Sequence, residues 1–254
     1  MRSSFRLAVL GYAVVAYAIF LLSSAWAVVF LASSIDRPAT RPAAVALAMD
    51  GGLLLAFAVQ HSVMARAGFK RRLTRLIPPA AERSTFVLVA GLLLLATFTW
   101  WQPLPALIWH VGPPWSVAIW ILYGAGWLLV AGSTFAVDHA DFLGLKQAYV
   151  HLRRWAYRSP AFTRSRLYAW CRHPMMLGLV IAFWATPRMS AGHLFFAVAS
   201  TGYVAVGIHF EERDLRRHIG ADYVAYANQV PALVPGIRRP RPLGVVTAGN
   251  DRQA

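Results

Sequence analysis

Residues Leu7 to Ala32 read LAVLGYAVVAYAIFLLSSAWAVVFLA, twenty-six positions without one charged side chain. At about 1.5 Å per residue, a helix of that length exceeds the roughly 30 Å hydrocarbon core of a bilayer. The run is also longer than the roughly 7–15 apolar residues of a secretion signal, so it predicts a membrane span rather than a cleaved leader. Working outward, Ala43 to Ala65 is a second candidate span, interrupted by Asp50, Gln60 and His61; Ser84 to Trp101 is a third, and Trp115 to Val137 a fourth, free of charge throughout. Ala191 to Phe210 is a further one. Before it, Pro174 to Pro187 is apolar but only fourteen residues, about 21 Å as a helix. Such a segment must tilt, thin the bilayer or fold back as a buried hairpin.

The rest of the chain agrees with a membrane setting. Over 254 residues, 58% of side chains are apolar and 14% charged, against roughly 45–50% and about 25% in soluble domains. A mean hydropathy of +0.50 excludes a disordered chain, a coiled coil and an ordinary soluble enzyme domain. Cys171 is the one cysteine, which excludes an intrachain disulfide and a cysteine-based zinc site, and no metal is expected. The net charge of +15 invites a nucleic-acid reading, but the cations sit in the gaps between apolar runs, 22 on one side and only Arg37, Arg41 and Arg188 on the other. Membrane topology accounts for that split, so no nucleic-acid partner is expected, and six crossings put both termini in the cytoplasm. Trp100, Trp101, Trp109 and Trp115 flank the uncharged outer loop as an aromatic belt. The expected fold is an all-α integral membrane protein with five to six transmembrane helices, a short C-terminal helical hairpin and a cytoplasmic C-terminal helix. Residues 1–240 are expected to form a single membrane-embedded domain, and 241–254 a disordered tail.

Polar residues inside apolar spans are costly and mark functional sites. Gln60-His61-Ser62, at the cytoplasmic end of the second span, reads either as the polar lining of a pocket or as a helix end solvated by headgroups. His139, between Asp138 and Asp141, has the spacing to be oriented by a carboxylate, or is simply the wet end of a helix. Gly124-Ala125-Gly126 lacks the third glycine and the preceding strand of a dinucleotide loop, so it reads as helix packing, and a soluble-type Rossmann methyltransferase has no place on the chain.

The informative stretch is Tyr168 to Pro235. Pro174 suits the first turn of a helix and pushes His173 toward an extended conformation, so Arg172-His173-Pro174 marks a helix start with a guanidinium and an imidazole beside free amides. Such a corner can bind a carboxylate or phosphate. Glu211-Glu212 follow the last apolar run. Two acids at a helix C-terminus oppose the macrodipole, which points to a cationic ligand; the competing reading is i,i+4 pairing of Glu212 with Arg216. Tyr223 and Tyr226 then share one face of a short helix.

Together these residues resemble the membrane methyltransferases related to isoprenylcysteine carboxyl methyltransferase: Arg172-His173-Pro174 with Gly178, Glu211-Glu212 with Leu215, Gly220, Tyr223, Tyr226, Val230-Pro231 and Pro235. Met176 stands where the carboxyl methyltransferases carry a tyrosine, which points away from an isoprenylcysteine substrate. Upstream, Gln60 to Arg66, Glu82-Arg83-Ser84-Thr85, Trp101-Gln102-Pro103, Asp138 to Leu145 and Ala182 to Pro187 are similar to the bacterial methanethiol S-methyltransferases over nearly the whole length.

The resemblance implies S-adenosylmethionine as donor, methanethiol as acceptor and dimethyl sulfide as product, in the bacterial inner membrane and without an obligatory protein partner. On that basis Arg172, His173, Pro174, Glu211, Glu212, Tyr223 and Tyr226 are the donor-binding candidates, with His61 and His139 as candidate bases and Glu212 a third. The alternatives are another thiol or carboxylate acceptor, or a non-catalytic membrane sensor or transporter subunit.

Overall fold

The computed structural model describes residues 2–159 and 166–234; the expected tail at 241–254 and Pro235 lie outside them. Five helices are long and apolar enough to cross a membrane: α1 (Arg2–Ala32), α2 (Ala43–Ala65), α4 (Glu82–Trp100), α5 (Trp115–Val137) and α9 (Ala191–Ile219). Short helices α3 (Ala67–Leu73), α6 (His139–Phe142), α7 (Leu145–Arg153), α8 (Pro174–Trp184) and α10 (Ala221–Gln229) lie between and after them. Large apolar side chains such as Leu55, Ile121 and Leu128 point outward, Leu128 with 75% of its surface exposed. On a water-soluble protein such a girdle would be a liability; on a membrane protein it faces lipid.

Glycine sets the closest helix contact. A side chain on Gly126 would meet the Gly178 carbonyl at 2.9 Å, and one on Gly178 would meet the Gly126 carbonyl at 2.6 Å. Backbone therefore touches backbone between α5 and α8, the small-residue packing expected of Gly124-Ala125-Gly126. Gly178 also lies against Val130, and Gly126 against Ala182, so the two helices run antiparallel. The start of α8 consequently sits at the end of α5 that carries Val137.

The opposite end of the bundle is closed by aromatic packing and a small ribbon. Phe30, Phe98, Trp101, Phe183 and Phe196 form its buried core. The β structure among the described residues is one antiparallel pair, β1 (Leu107–His110) with β2 (Arg188–Ser190). Gly192 and Ala191 donate to Leu104 and Ala106, and the Trp109 indole to the Thr186 carbonyl at 3.1 Å. The turn between α8 and α9 is thus held by main-chain bonds that leave few polar groups unpaired. Ser190 caps α9 by accepting from the His193 amide. Asp50, fully buried in α2, accepts from the Gln102 amide at 2.8 Å and ties the same loop.

Two sequence expectations are corrected. α9 does not stop at Phe210 but continues to Ile219, because Glu and Arg extend a helix as readily as apolar residues do. Glu211 and Glu212 therefore lie within the helix, its last turn holds Arg216, Arg217 and His218, and the macrodipole argument for a cationic ligand falls away. His139 is not oriented by a carboxylate: Asp138 caps α6 and pairs with Lys146 at 2.6 Å, while Asp141 accepts from Tyr157.

Candidate functional site

Pro174 occupies the first turn of α8, and His173 precedes it with φ −125° and ψ 63°, outside the helical region. The chain arriving there is fixed by main-chain bonds to the far C-terminal segment, from the Arg172 amide to Pro231 at 3.0 Å and from the His173 amide to Ala232 at 3.1 Å. The Cys171 thiol donates to the Ala232 carbonyl at 3.2 Å. Val230, itself extended, leads from α10 into this segment, which lies as a strap beside the helix start.

That strap brings the predicted donor-site residues together. Arg172 Nε donates to Glu212 Oε1 at 2.9 Å, Nη2 donates to the same oxygen, and Nη1 donates to the carbonyls of Ala227 and Val230. His173 Nε2 lies 3.3 Å from Glu212 Oε1, and its Nδ1 3.6 Å from Glu211 Oε2. Arg216 closes the other side of Glu212 at 2.8 Å, so the anticipated i,i+4 pair and the cross-helix pair coexist on one carboxylate. The two acids differ sharply: the Glu212 side chain is 10% exposed and Glu211 51%. A guanidinium has five N–H donors in a fixed fork; four are used among the described residues, which leaves one on Nη2. Glu211 offers the open carboxylate and Arg172 the remaining donor.

Tyr223 and Tyr226 are buried on the inner face of α10, their ring centroids 5.9 Å apart. Tyr226 donates to the Tyr168 carbonyl at 2.6 Å, drawing α10 onto the segment before α8. Burial pushes the phenols of Tyr168, Tyr223 and Tyr226 upward, so all three are neutral groups. Burial likewise raises the Cys171 thiol.

The two candidate bases lie elsewhere at the same end of the bundle. His61 stacks on Phe57 with ring centroids 5.3 Å apart and lies near Phe86 and Tyr203, and its Nδ1 is buried without a partner. Beside it Ser62 and Tyr203 share a hydrogen bond at 3.2 Å. His139 has both nitrogens engaged, Nδ1 with Thr134 at 2.8 Å and Nε2 with Tyr17 at 3.2 Å, and stacks on Phe135. Sequence reasoning missed Tyr203, Tyr17 and Thr134. It also missed the carbonyls of Ala227 and Val230, which leave no mark in residue identity.

The fold and this polar cluster define a multi-pass membrane protein with a charged, partly open site at one end of the helix bundle. Comparison with known proteins makes the assignment specific. The methanethiol S-methyltransferase of Mycobacterium tuberculosis is 44% identical over 230 residues, covering 88% of this chain and 94% of its own. Methanethiol S-methyltransferase 2 of Bradyrhizobium diazoefficiens is 42% identical over 256 aligned positions, 94% and 98% of the two chains. Nurim of Sus scrofa is 31% identical over 183 residues, 68% and 69% of the two chains. No family model and no solved structure matches. The chain belongs to the methanethiol S-methyltransferase family.

Proposed function

We propose that this protein methylates methanethiol to dimethyl sulfide with S-adenosylmethionine as donor. The observation that carries the reading is the Arg172, His173, Glu211 and Glu212 cluster, which joins one open carboxylate to one guanidinium N–H without a partner among the described residues. That donor set fits the amino-acid end of the donor, whose ammonium and carboxylate need partners of opposite sign. Glu211, oriented by His173, would take the ammonium and Arg172 the carboxylate, and Glu212 would hold Arg172 and His173 in place; Pro174, Tyr223 and Tyr226 would shape the wall around them. When bound, the donor supplies a methyl group on a positively charged sulfur.

The chain's own part is to accept the thiol proton and to keep water out. An alkyl thiol is mostly protonated near neutral pH, taking the cysteine value of about 8.5 as a guide, so a base accelerates attack. His61 is the favoured base, because its Nδ1 has no competing partner while both nitrogens of His139 are engaged. The Phe57, Phe86 and Tyr203 rings around it make an apolar setting in which joining an anion and a cation into neutral products is favoured over the same step in water.

In this reading the site faces the cytoplasm of a bacterial inner membrane, with both termini on that side, because its end of the bundle carries the loops that hold most of the cations. The α8–β2–α9 hairpin supplies the sixth crossing, and 1–240 acts as one domain. Headspace gas chromatography of membranes given methanethiol and S-adenosylmethionine tests the reading. Dimethyl sulfide is expected; its absence with donor binding intact would remove the acceptor. A second reading has one observation in its favour: Arg172 spends four donors inside the protein, as a purely structural clamp would. It predicts no S-adenosylhomocysteine with any thiol.

A further inference from the structure

A separate cavity of about 560 Å³ opens between the start of α4, the end of α5 and helices α3, α6 and α7. None of the donor-site or candidate-base residues lines it. Its walls include Val137, the last residue of α5, and Glu82, the first of α4, so it lies at the level where apolar helices meet headgroups. Trp155 and Tyr157, both exposed, stand at its rim as interfacial aromatics do.

The polar groups in the cavity are only partly satisfied by the protein. Arg83 sits with its guanidinium 4.9 Å from the Phe142 ring and 5.1 Å from Phe86, and donates from Nε to the Phe142 carbonyl. Its two terminal nitrogens make no hydrogen bond among the described residues and open onto the cavity, where they can donate to a ligand. His151 Nε2 and Gln147 Oε1 are buried and without partners. Gln147 Nε2 is fixed by the Asp141 carbonyl at 3.0 Å, which fixes the amide so that Oε1 is an orphaned acceptor. Lys70 stands 3.8 Å from Glu82, and the Asp141 carboxylate accepts from Tyr157 at 2.8 Å. The lining thus holds two cations and two anions with a histidine. A purely anionic ligand would meet both carboxylates, and a purely cationic one both bases. The complement is a zwitterion whose anionic part accepts hydrogen bonds and whose cationic part donates them.

We propose that this cavity holds the headgroup of a phosphatidylethanolamine, with phosphate against Arg83 and His151 and ammonium against Gln147 and Asp141. Ethanolamine is required rather than choline, because a quaternary ammonium has no N–H for Gln147 Oε1. The position of the cavity at the ends of two helices selects a lipid over a soluble headgroup, since the acyl chains continue along the exposed apolar face of α5, where Leu128, Phe135 and Val137 point outward.

Native mass spectrometry of the purified full-length protein, equilibrated with equal amounts of phosphatidylethanolamine, phosphatidylcholine and phosphatidylglycerol of the same chain length, tests this. One phosphatidylethanolamine is expected to be retained about tenfold over phosphatidylcholine, the worth of roughly one hydrogen bond to a charged group. Gln147→Leu should abolish that preference, and His151→Phe, which keeps the ring and leaves the Gln147 bonds intact, should weaken retention at an unchanged unfolding midpoint. Equal retention of the three lipids, a preference that survives Gln147→Leu, retention untouched by His151→Phe, or equally tight binding of free O-phosphoethanolamine would each overturn the proposal.

Discussion

The guanidinium of Arg172 and the carboxylate of Glu212 are in direct contact, Nε to Oε1 2.9 Å, across forty positions of chain. Through the same guanidinium the start of α8 is tied to the carbonyls of Ala227 and Val230. One side chain therefore joins α8, α9 and α10, and the removal of the Glu212 carboxylate strands Arg172, His173 and Arg216 at once.

The contrast between the two neighbouring acids follows from exposure. Glu212→Gln breaks a pair whose side chains are both 10% exposed, and should destabilise the protein by about 3 kcal/mol, as for other buried pairs that lose one partner. Glu211→Gln, at an open position, should leave the unfolding midpoint in detergent within about 0.5 kcal/mol of wild type while weakening the donor. Equal midpoints for both variants would contradict the difference.

The helix contact at Gly178 makes a sharper test. Gly178→Ala drives a methyl group into the Gly126 carbonyl at 2.6 Å, backbone that cannot swing aside, and should cost about 1–3 kcal/mol by overpacking. Gly124→Ala, two residues from Gly126 and with nothing within 4 Å, should be neutral or slightly stabilising. Thermal unfolding of the two variants measures the difference.

Cys171 predicts a pH dependence. Burial raises its thiol, so the folded state holds the proton more tightly than the unfolded state. The resulting stability is complete below the unfolded value of about 8.5 and is lost as pH rises through the higher folded value. Relative to Cys171→Ser, the wild type should therefore lose stability only in the alkaline range. Maleimide labelling of the native protein should be slow at neutral pH and accelerate later than for a free cysteine.

For the two histidines, His61→Gln should lower kcat about 100-fold or more with donor affinity unchanged. His139→Gln should act less, since its nitrogens bond Thr134 and Tyr17. Single-turnover formation of dimethyl sulfide separates the two, and a larger loss at His139 would move the base to α6.

Much of the architecture was legible in the chain because lack of charge is a one-dimensional signal. The bounds of α2 and α5 coincide with their apolar runs, and Pro174 announces the start of α8. Helices whose ends are polar were misjudged: α1 begins at Arg2 rather than Leu7, and α9 runs two turns past Phe210, because apolarity marks where lipid ends and not where hydrogen bonding ends. Of the candidate residues, Arg172, His173 and Glu212 were chosen on residue type and spacing, and they meet in space. The company of His139 was not: Asp138 and Asp141 are its neighbours in sequence, yet Asp138, with φ 142°, turns to cap α6, and the histidine meets α1 instead.

Isothermal titration of S-adenosylmethionine into purified wild type, Glu211→Gln, Glu212→Gln and His173→Ala probes the site most directly. Folded wild type should bind the donor, and each variant should bind it about tenfold or more weakly, the worth of one charged hydrogen bond. Unchanged donor affinity in all three variants, with each shown to be folded, would place the donor elsewhere and leave the Arg172 cluster a structural clamp.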